Sequence, residues 1–200
     1  MGKLFAKWYD FFMNPLEKTA FKALRKKLLS NATGSVLEIG SGTGVNFPFY
    51  IEAKSVTAIE PSQYMLKNSV SKIQQATVPI EVIQAGAEQL PFPDHSFDCV
   101  VATLVFCTIL DRDKAMIEIK RVCKPDGQIL LFEHVRMDNR FLSHLQDFFT
   151  PIWKKICDGC CLNRETLKLL IDHNLKIINV EKHYQGLFLL IEARNVPENK

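Results

Sequence analysis

Residues 36–44, Val-Leu-Glu-Ile-Gly-Ser-Gly-Thr-Gly, constrain this chain more than any other stretch. Four residues suited to a buried strand run into three glycines spaced two apart, and a helix-like pattern follows. The arrangement reads as a strand, a tight turn and a helix N-terminus. Glycine takes positive φ readily and lets a ligand approach the backbone. A helix start adds free amide donors and partial positive charge. A nucleotide-like ligand fits such a turn.

The rest of the chain alternates in the same manner. Further strands are expected at 56–59, 80–83, 97–104 and 128–132, with helices at 44–51, 62–75, 111–123, 140–156 and 163–172. Upstream, Pro15 can open a helix that runs through Leu28, and turn residues at 31–35 end it. Residues 124–127, Lys-Pro-Asp-Gly, form a strong turn. Two last strands, 176–182 and 187–193, are joined by Tyr184-Gln185-Gly186. This alternation predicts an α/β fold: a seven-stranded, mostly parallel sheet with helices on both faces. The short final link permits a hairpin, so one terminal strand is expected to be antiparallel. Ligands of such sheets bind beyond the carboxyl ends of the strands, near the point where strand order reverses. Residues 40–44, Glu60, 86–88, 103–108 and Glu133-His134 then surround one crevice.

Two hundred residues with 47% hydrophobic content suit one domain with a core that needs no disulfides. Residues 1–30 are read as N-terminal amphipathic or lid helices and 31–200 as the ligand-binding domain. A net charge of +3 does not argue for nucleic acid, and no nucleic-acid partner is expected. Lys3, Lys7 and Asp10 interrupt the first twelve residues, so no export signal is expected there, and the six cysteines are read as reduced cytoplasmic thiols. No apolar run reaches the roughly 20 residues that span a bilayer, so a soluble or peripheral protein is expected. Leu4, Phe5, Trp8, Phe11 and Phe12 fall at helical spacing among basic residues. Residues 3–12 therefore read either as a segment docked on the domain, or as a peripheral contact at the inner face of a membrane. Either a monomer or a dimer is compatible with the sequence.

Glu60 stands sixteen residues beyond Gly44, at the end of the second strand, where a carboxylate can accept both ribose hydroxyl protons. Nicotinamide enzymes use the same device, so Glu60 does not choose the ligand. The glycine spacing discriminates better. G-x-G-x-x-G would need glycine or alanine at position 45, where Val45 stands. G-x-G-x-G with Glu38 two places earlier resembles the pattern of S-adenosylmethionine (SAM) methyltransferases. Ile59-Glu60-Pro61, the block at 87–92, Ser96-Phe97-Asp98 and the turn at 124–127 follow in matching order. Together they resemble the class I, Rossmann-like methyltransferases of the UbiE-like, type 11 group.

A narrower resemblance rests on Gly42 to Phe47 with Phe49-Tyr50, on Thr103 to Cys107, on Glu133-His134-Val135, and on Pro151-Ile152-Trp153 with Asp158-Gly159-Cys160 and Arg164-Glu165. These blocks are similar to the membrane-associated alkyl thiol S-methyltransferases and their bacterial relatives. The resemblance implies SAM as cofactor, S-adenosylhomocysteine (SAH) as product, and a small lipophilic acceptor with thiol favoured. A phospholipid or quinone acceptor at a membrane surface, or a non-catalytic SAM-binding protein, are the alternatives. It also implies that Gly40, Ser41, Gly42 and Gly44 form the loop at the methionine portion, with Glu38 supporting it. Glu60 would hold the ribose, Pro61 and Met65 would flank the adenine, Ala87 and Glu88 would meet its edge, and Thr103 would line the methionine side. Many type 11 members carry Asp where this chain has Gly86.

Methyl transfer from a sulfonium is an in-line displacement, and alignment supplies much of the barrier reduction. A simple thiol, with pKa about 8.5, is partly ionised at neutral pH. His134 is the best-placed base, with Glu133 as its orienter, and Cys107 lies on the same rim. No Asn/Asp-Pro-Pro-Tyr motif occupies 103–106, which argues against planar base nitrogens as acceptors. The aromatic stretch 141–153 is expected to cover the acceptor site, with Trp153 and Phe148 or Phe149 lining it. Cys157-x-x-Cys160-Cys161 has no second pair, so no metal is expected.

Overall fold

The computed structural model describes residues 21–157 and 159–196. The reading of residues 3–12, and the first part of the Pro15 helix, lie outside them. Seven strands form one sheet: β1 (Gly34–Ile39), β2 (Ala53–Ile59), β3 (Ile80–Ile83), β4 (Phe97–Thr103), β5 (Cys123–His134), β6 (Lys176–His183) and β7 (Phe188–Arg194). Their spatial order is β3-β2-β1-β4-β5-β7-β6. The first five run parallel, and β7 pairs antiparallel with both β5 and β6. The antiparallel strand is therefore last in the chain but sits inside the sheet, between β5 and β6.

Five helices accompany these strands among the described residues: α1 (Lys22–Leu29), α2 (Gln63–Ile73), α3 (Arg112–Val122), α4 (Arg140–Ile156) and α5 (Thr166–Asp172). The two faces of the sheet carry separate apolar cores because strand side chains alternate. Leu37, Val100, Ile129 and Leu131 face one core, which α3 closes with Met116 and Ile119 and α5 with Leu169 and Leu170. Val36, Cys99, Val101, Leu130 and Phe132 face the other, closed by Phe21, Leu28 and Leu29 around α1.

Helix starts follow their capping residues. Ser62 accepts from the Met65 amide at 3.5 Å, Asp111 from Lys114 at 3.0 Å, and Asn139 from the Phe141 and Leu142 amides. Two expectations need correction. The helix expected over 44–51 is a single 3-10 turn, Phe47–Phe49, because Pro48 has no amide to donate and Gly42 and Gly44 take positive φ. The turn expected at 124–127 lies within β5 as a bulge: Cys123 pairs with Phe97 and Gln128 with Cys99, and Asp126 has a φ of 58°.

No helix among the described residues is long and apolar enough to cross a membrane. The aromatic stretch of α4 turns inward only in part: the Trp153 indole donates a hydrogen bond to the Cys160 sulfur, as expected of a residue at the acceptor site, and Phe149 is half-exposed. Phe141 (75% exposed), Phe148 (71%), Ile152 and Ile156 face outward, because the inward positions of this helix are Ser143 and Gln146.

Candidate active site

Strand order reverses between β1 and β4, the point beyond whose carboxyl ends sheets of this kind bind their ligands. The glycine turn follows β1 there. Gly40, Gly42 and Gly44 have φ of 65°, 56° and 76°. A Cβ on Gly40 would lie 2.3 Å from Val105 Cγ2, so this turn and the one after β4 are packed together. Gly42 differs: among the described residues, a Cβ there would meet nothing within 4 Å, so they leave its backbone uncovered. Gly40→Ala is expected to lower stability by at least about 1–2 kcal/mol, the cost of left-handed backbone in a residue with a Cβ, with the Val105 clash in addition. Thermal unfolding measures this, and an unchanged Tm would mean that the two turns separate freely.

Glu60, at the end of β2, is buried and accepts from the Gly42 amide at 3.0 Å and the Ser62 amide at 2.9 Å. Its carboxylate thus anchors the glycine turn to the start of α2. Met65 is fully buried on α2, Pro61 is exposed, and Ala87 is buried with Glu88 half-exposed beside it. A Cβ at Gly86 would come 3.3 Å from Glu88 Oε2, the mobile end of a side chain that has to give only slightly. Ser41 is buried, and its hydroxyl has no hydrogen-bond partner among the described residues. An orphaned hydroxyl and an open glycine backbone on the same turn fit a polar ligand portion laid against it.

Beneath the turn lies a buried polar network that the sequence did not reveal. Glu38 accepts from Asn46 Nδ2 at 2.8 Å and from the Tyr50 hydroxyl at 2.9 Å. Asn46 also donates to Thr103 Oγ1 at 2.9 Å, and Arg25 donates to Asn46 Oδ1 at 2.9 Å and to Thr103 Oγ1 at 2.7 Å. The guanidinium stands 5.5 Å from the Phe132 ring centroid. Burial raises the Glu38 pKa to about 7 against the opposing hydrogen bonds of Asn46 and Tyr50 and the charge of Arg25. Glu38 is therefore placed under the loop as a support. Thr103 lies at the carboxyl end of β4 with its hydroxyl accepting from this network.

The opposite rim starts at Leu104, which takes a φ of 55° and turns the chain sharply after β4. Glu133, fully buried at the end of β5, accepts from the Val105 amide at 2.9 Å and the Phe106 amide at 3.1 Å. It therefore holds this turn and is not hydrogen-bonded to His134 as an orienter. Burial raises its pKa to about 7 despite those two amides.

His134 and Cys107 do come together, and Cys160, from the cysteine segment that the sequence read as packing over the pocket, joins them. Cys160 Sγ is 3.3 Å from His134 Nε2, and the ligand atoms of Cys107, His134 and Cys160 lie within 4.8 Å of one another. The loop after α4 is tied in by the Cys161 amide, which donates to the Cys107 carbonyl at 3.0 Å. The Cys107 hydrogen bond lowers the Cys160 pKa to about 5 against burial, with His134 acting in the same direction. Burial opposes a charged His134, but the Cys160 sulfur outweighs it and raises the imidazole pKa. His134, the expected base, thus has its Nε2 engaged by Cys160. Cys157 and Cys161 stay outside the cluster, so the sequence motif 157–161 contributes one residue. Proximity in sequence could not have shown this, because the three side chains come from β4's turn, the end of β5 and the loop after α4.

Known proteins agree with this architecture. A family described as "Methyltransferase domain" matches residues 37–131. The human thiol S-methyltransferase TMT1B is 36% identical over 162 residues, which cover 78% of this chain and 66% of that protein. A phosphatidylethanolamine N-methyltransferase of Cereibacter sphaeroides is 31% identical over 143 residues, 69% of this chain and 70% of that protein. The chain thus spans about two thirds of the length of these relatives. Among solved structures, a SAM-dependent methyltransferase from Aquifex aeolicus superposes with a TM-score of 0.70 at 18% identity, covering 98% of this chain and all of that one. The sheet order, the glycine turn with its acidic anchors, and these similarities lead to one conclusion: this chain belongs to the SAM-dependent methyltransferases.

Proposed function

We propose that this methyltransferase acts on a small lipophilic acceptor, with a thiol favoured. The observation that carries the reading is the soft, partly buried sulfur–imidazole rim made by Cys107, Cys160 and His134, at the same end of the sheet as the glycine turn. The name of the human relative supports the same acceptor class.

Gly40, Ser41, Gly42 and Gly44 would cradle the methionine portion of SAM, with the Ser41 hydroxyl free to bond it. Glu60 would hold the ribose with its carboxylate, which stands at the end of β2 beside the glycine turn. Pro61, Met65, Gly86, Ala87 and Glu88 would enclose the adenine, and Thr103 would bound the methionine side. SAM supplies an activated methyl group on a good leaving sulfur. The chain's own residues have to align the acceptor and exclude water, and the Leu104 turn, held by Glu133, sets the distance between rim and loop.

A second reading, a phospholipid or quinone acceptor taken from a membrane surface, is favoured by the outward apolar face of α4 and by the Cereibacter relative. One experiment separates the two: SAH release measured against alkyl thiols, phenols, amines and phospholipid vesicles, alongside flotation of the full-length protein with those vesicles. Turnover with alkyl thiols independent of vesicles is expected. Release only with lipid acceptors, on a vesicle-bound protein, would replace the first reading by the second. SAH is also expected to raise the melting temperature, since it binds the folded state alone.

A further inference from the structure

From the geometry of the acceptor rim, we infer that Cys107, His134 and Cys160 form a binding site for a zinc-class divalent cation, with its fourth coordination position open to the acceptor thiol. The inference rests on the thiol reading above and extends it to how the thiol is held and ionised.

The donor set comes first. Two thiol sulfurs and one imidazole nitrogen are ligands that zinc accepts, and three protein ligands with one open position mark a catalytic rather than a structural zinc site. The spacing comes second. Metal–sulfur bonds of about 2.3 Å and metal–nitrogen bonds of about 2.0 Å at tetrahedral angles place ligand atoms roughly 3.5–3.8 Å apart. Here all three lie within 4.8 Å of one another, and one pair is already at 3.3 Å. Small side-chain adjustments bring the set to bonding distance. The supports come third. Cys107 is fixed by the Glu133-held turn, His134 by the end of β5, and Cys160 by the Cys161–Cys107 backbone bond, so three separate elements deliver the ligands to one point. Cys107 is buried, whereas His134 and Cys160 are partly exposed, so we place the open position on their side, where the Trp153 indole also reaches Cys160 and would border the acceptor.

The chemistry balances without an oxidant. The acceptor thiol binds the cation as thiolate and gives its proton to solvent. Its sulfur lone pair forms the new sulfur–carbon bond, while the pair of the breaking carbon–sulfur bond returns to the donor sulfur, leaving SAH. The resulting thioether is neutral and a weaker ligand than the thiolate, so product leaves and the position reopens.

The test uses full-length protein kept reduced with a phosphine and stripped by chelator. Zinc bound after equilibrium dialysis is expected at one ion per chain. Cobalt(II) titration should give thiolate charge-transfer absorption and the visible bands of a tetrahedral ion, and added alkyl thiol should shift those bands. Cys107→Ser, Cys160→Ser and His134→Gln should each weaken binding by more than about 100-fold, beyond the 10–100-fold typical of residues that only support a ligand. Cys157→Ser should bind as the parent does. A retained SAH-induced rise in melting temperature shows that each variant is folded. The inference is overturned if the parent binds no stoichiometric metal, if the Cys107 and Cys160 variants bind it equally well, or if thiol leaves the cobalt spectrum unchanged. Undiminished thiol methylation by chelator-stripped protein also overturns it, yet leaves the thiol reading standing. Metal and thiol binding with no thiol methylation would do the reverse.

Discussion

Glu60→Ala will weaken SAH binding by about 1–3 kcal/mol, or roughly 5- to 150-fold in Kd, the range for hydrogen bonds lost from a charged group. In this structure the carboxylate ties the glycine turn to α2, in the proposed reading it would also hold the ribose, and the substitution removes both. It would no longer be available to a ribose, and the Gly42 and Ser62 amides would lose the acceptor that ties the glycine turn to α2. Glu60→Gln separates the tasks. An amide oxygen can still accept from one of the two backbone donors, so most of the stability should return, while the bidentate acceptor for ribose hydroxyls does not. Calorimetric titration with SAH, alongside thermal unfolding, measures both. An unchanged Kd in the alanine variant would place the ribose elsewhere.

Arg25→Met is expected to cost about 3 kcal/mol of stability at neutral pH, because it strips a charge from a buried network and leaves its partners behind. Asn46 Oδ1 would lose its donor, Thr103 one of two, and Glu38 the positive charge that opposes its desolvation. Methionine keeps much of the packing on Phe132, so the loss reports the polar function of the side chain.

The same network gives a signed pH dependence. Burial lifts Glu38 from 4.5 to about 7 in the folded protein. A raised carboxylate pKa means that the folded state holds a proton that the unfolded chain has released. Its contribution to stability is fully present below pH 4.5 and is lost as pH rises through about 7, a change of about 3 kcal/mol. Glu38→Gln should remove this share of the slope in urea unfolding across that window. Arg25→Met should carry the decline to higher pH, since one influence lowering the Glu38 pKa is gone. A parent whose stability did not fall more steeply over this range than that of Glu38→Gln would rule out a protonated Glu38 in the fold.

Much of the fold was legible because its signals are local. Strand and helix periods, Ser62 and Asp111 as caps, and the glycine turn each occupy a few consecutive residues, and α4 was anticipated at both ends. The 3-10 turn after Gly44 was misread because an apolar helical period outweighed Pro48 in the reading, whereas in the structure the missing amide prevails. Trp153 does reach the Cys160 sulfur, but the rest of the aromatic face of α4 was misread, for a different reason. An aromatic stripe signals one shared helix face, but not which face meets the sheet, and here Ser143 and Gln146 turn inward.

The sequence by itself determined the order of elements, the glycine turn, and Glu38 and Glu60 as the acids beside it, since backbone preference and short-range spacing are written in neighbouring residues. Only the tertiary structure decided that Arg25, Asn46, Tyr50 and Thr103 join Glu38 under the turn, and that Cys160 leaves its own cysteine motif to meet Cys107 and His134. Those groupings depend on strand order and loop closure, which bring residues far apart in sequence to the same end of one sheet. A buried charge or a ligand set is defined by what surrounds it in space, and no local pattern in the chain carries that information.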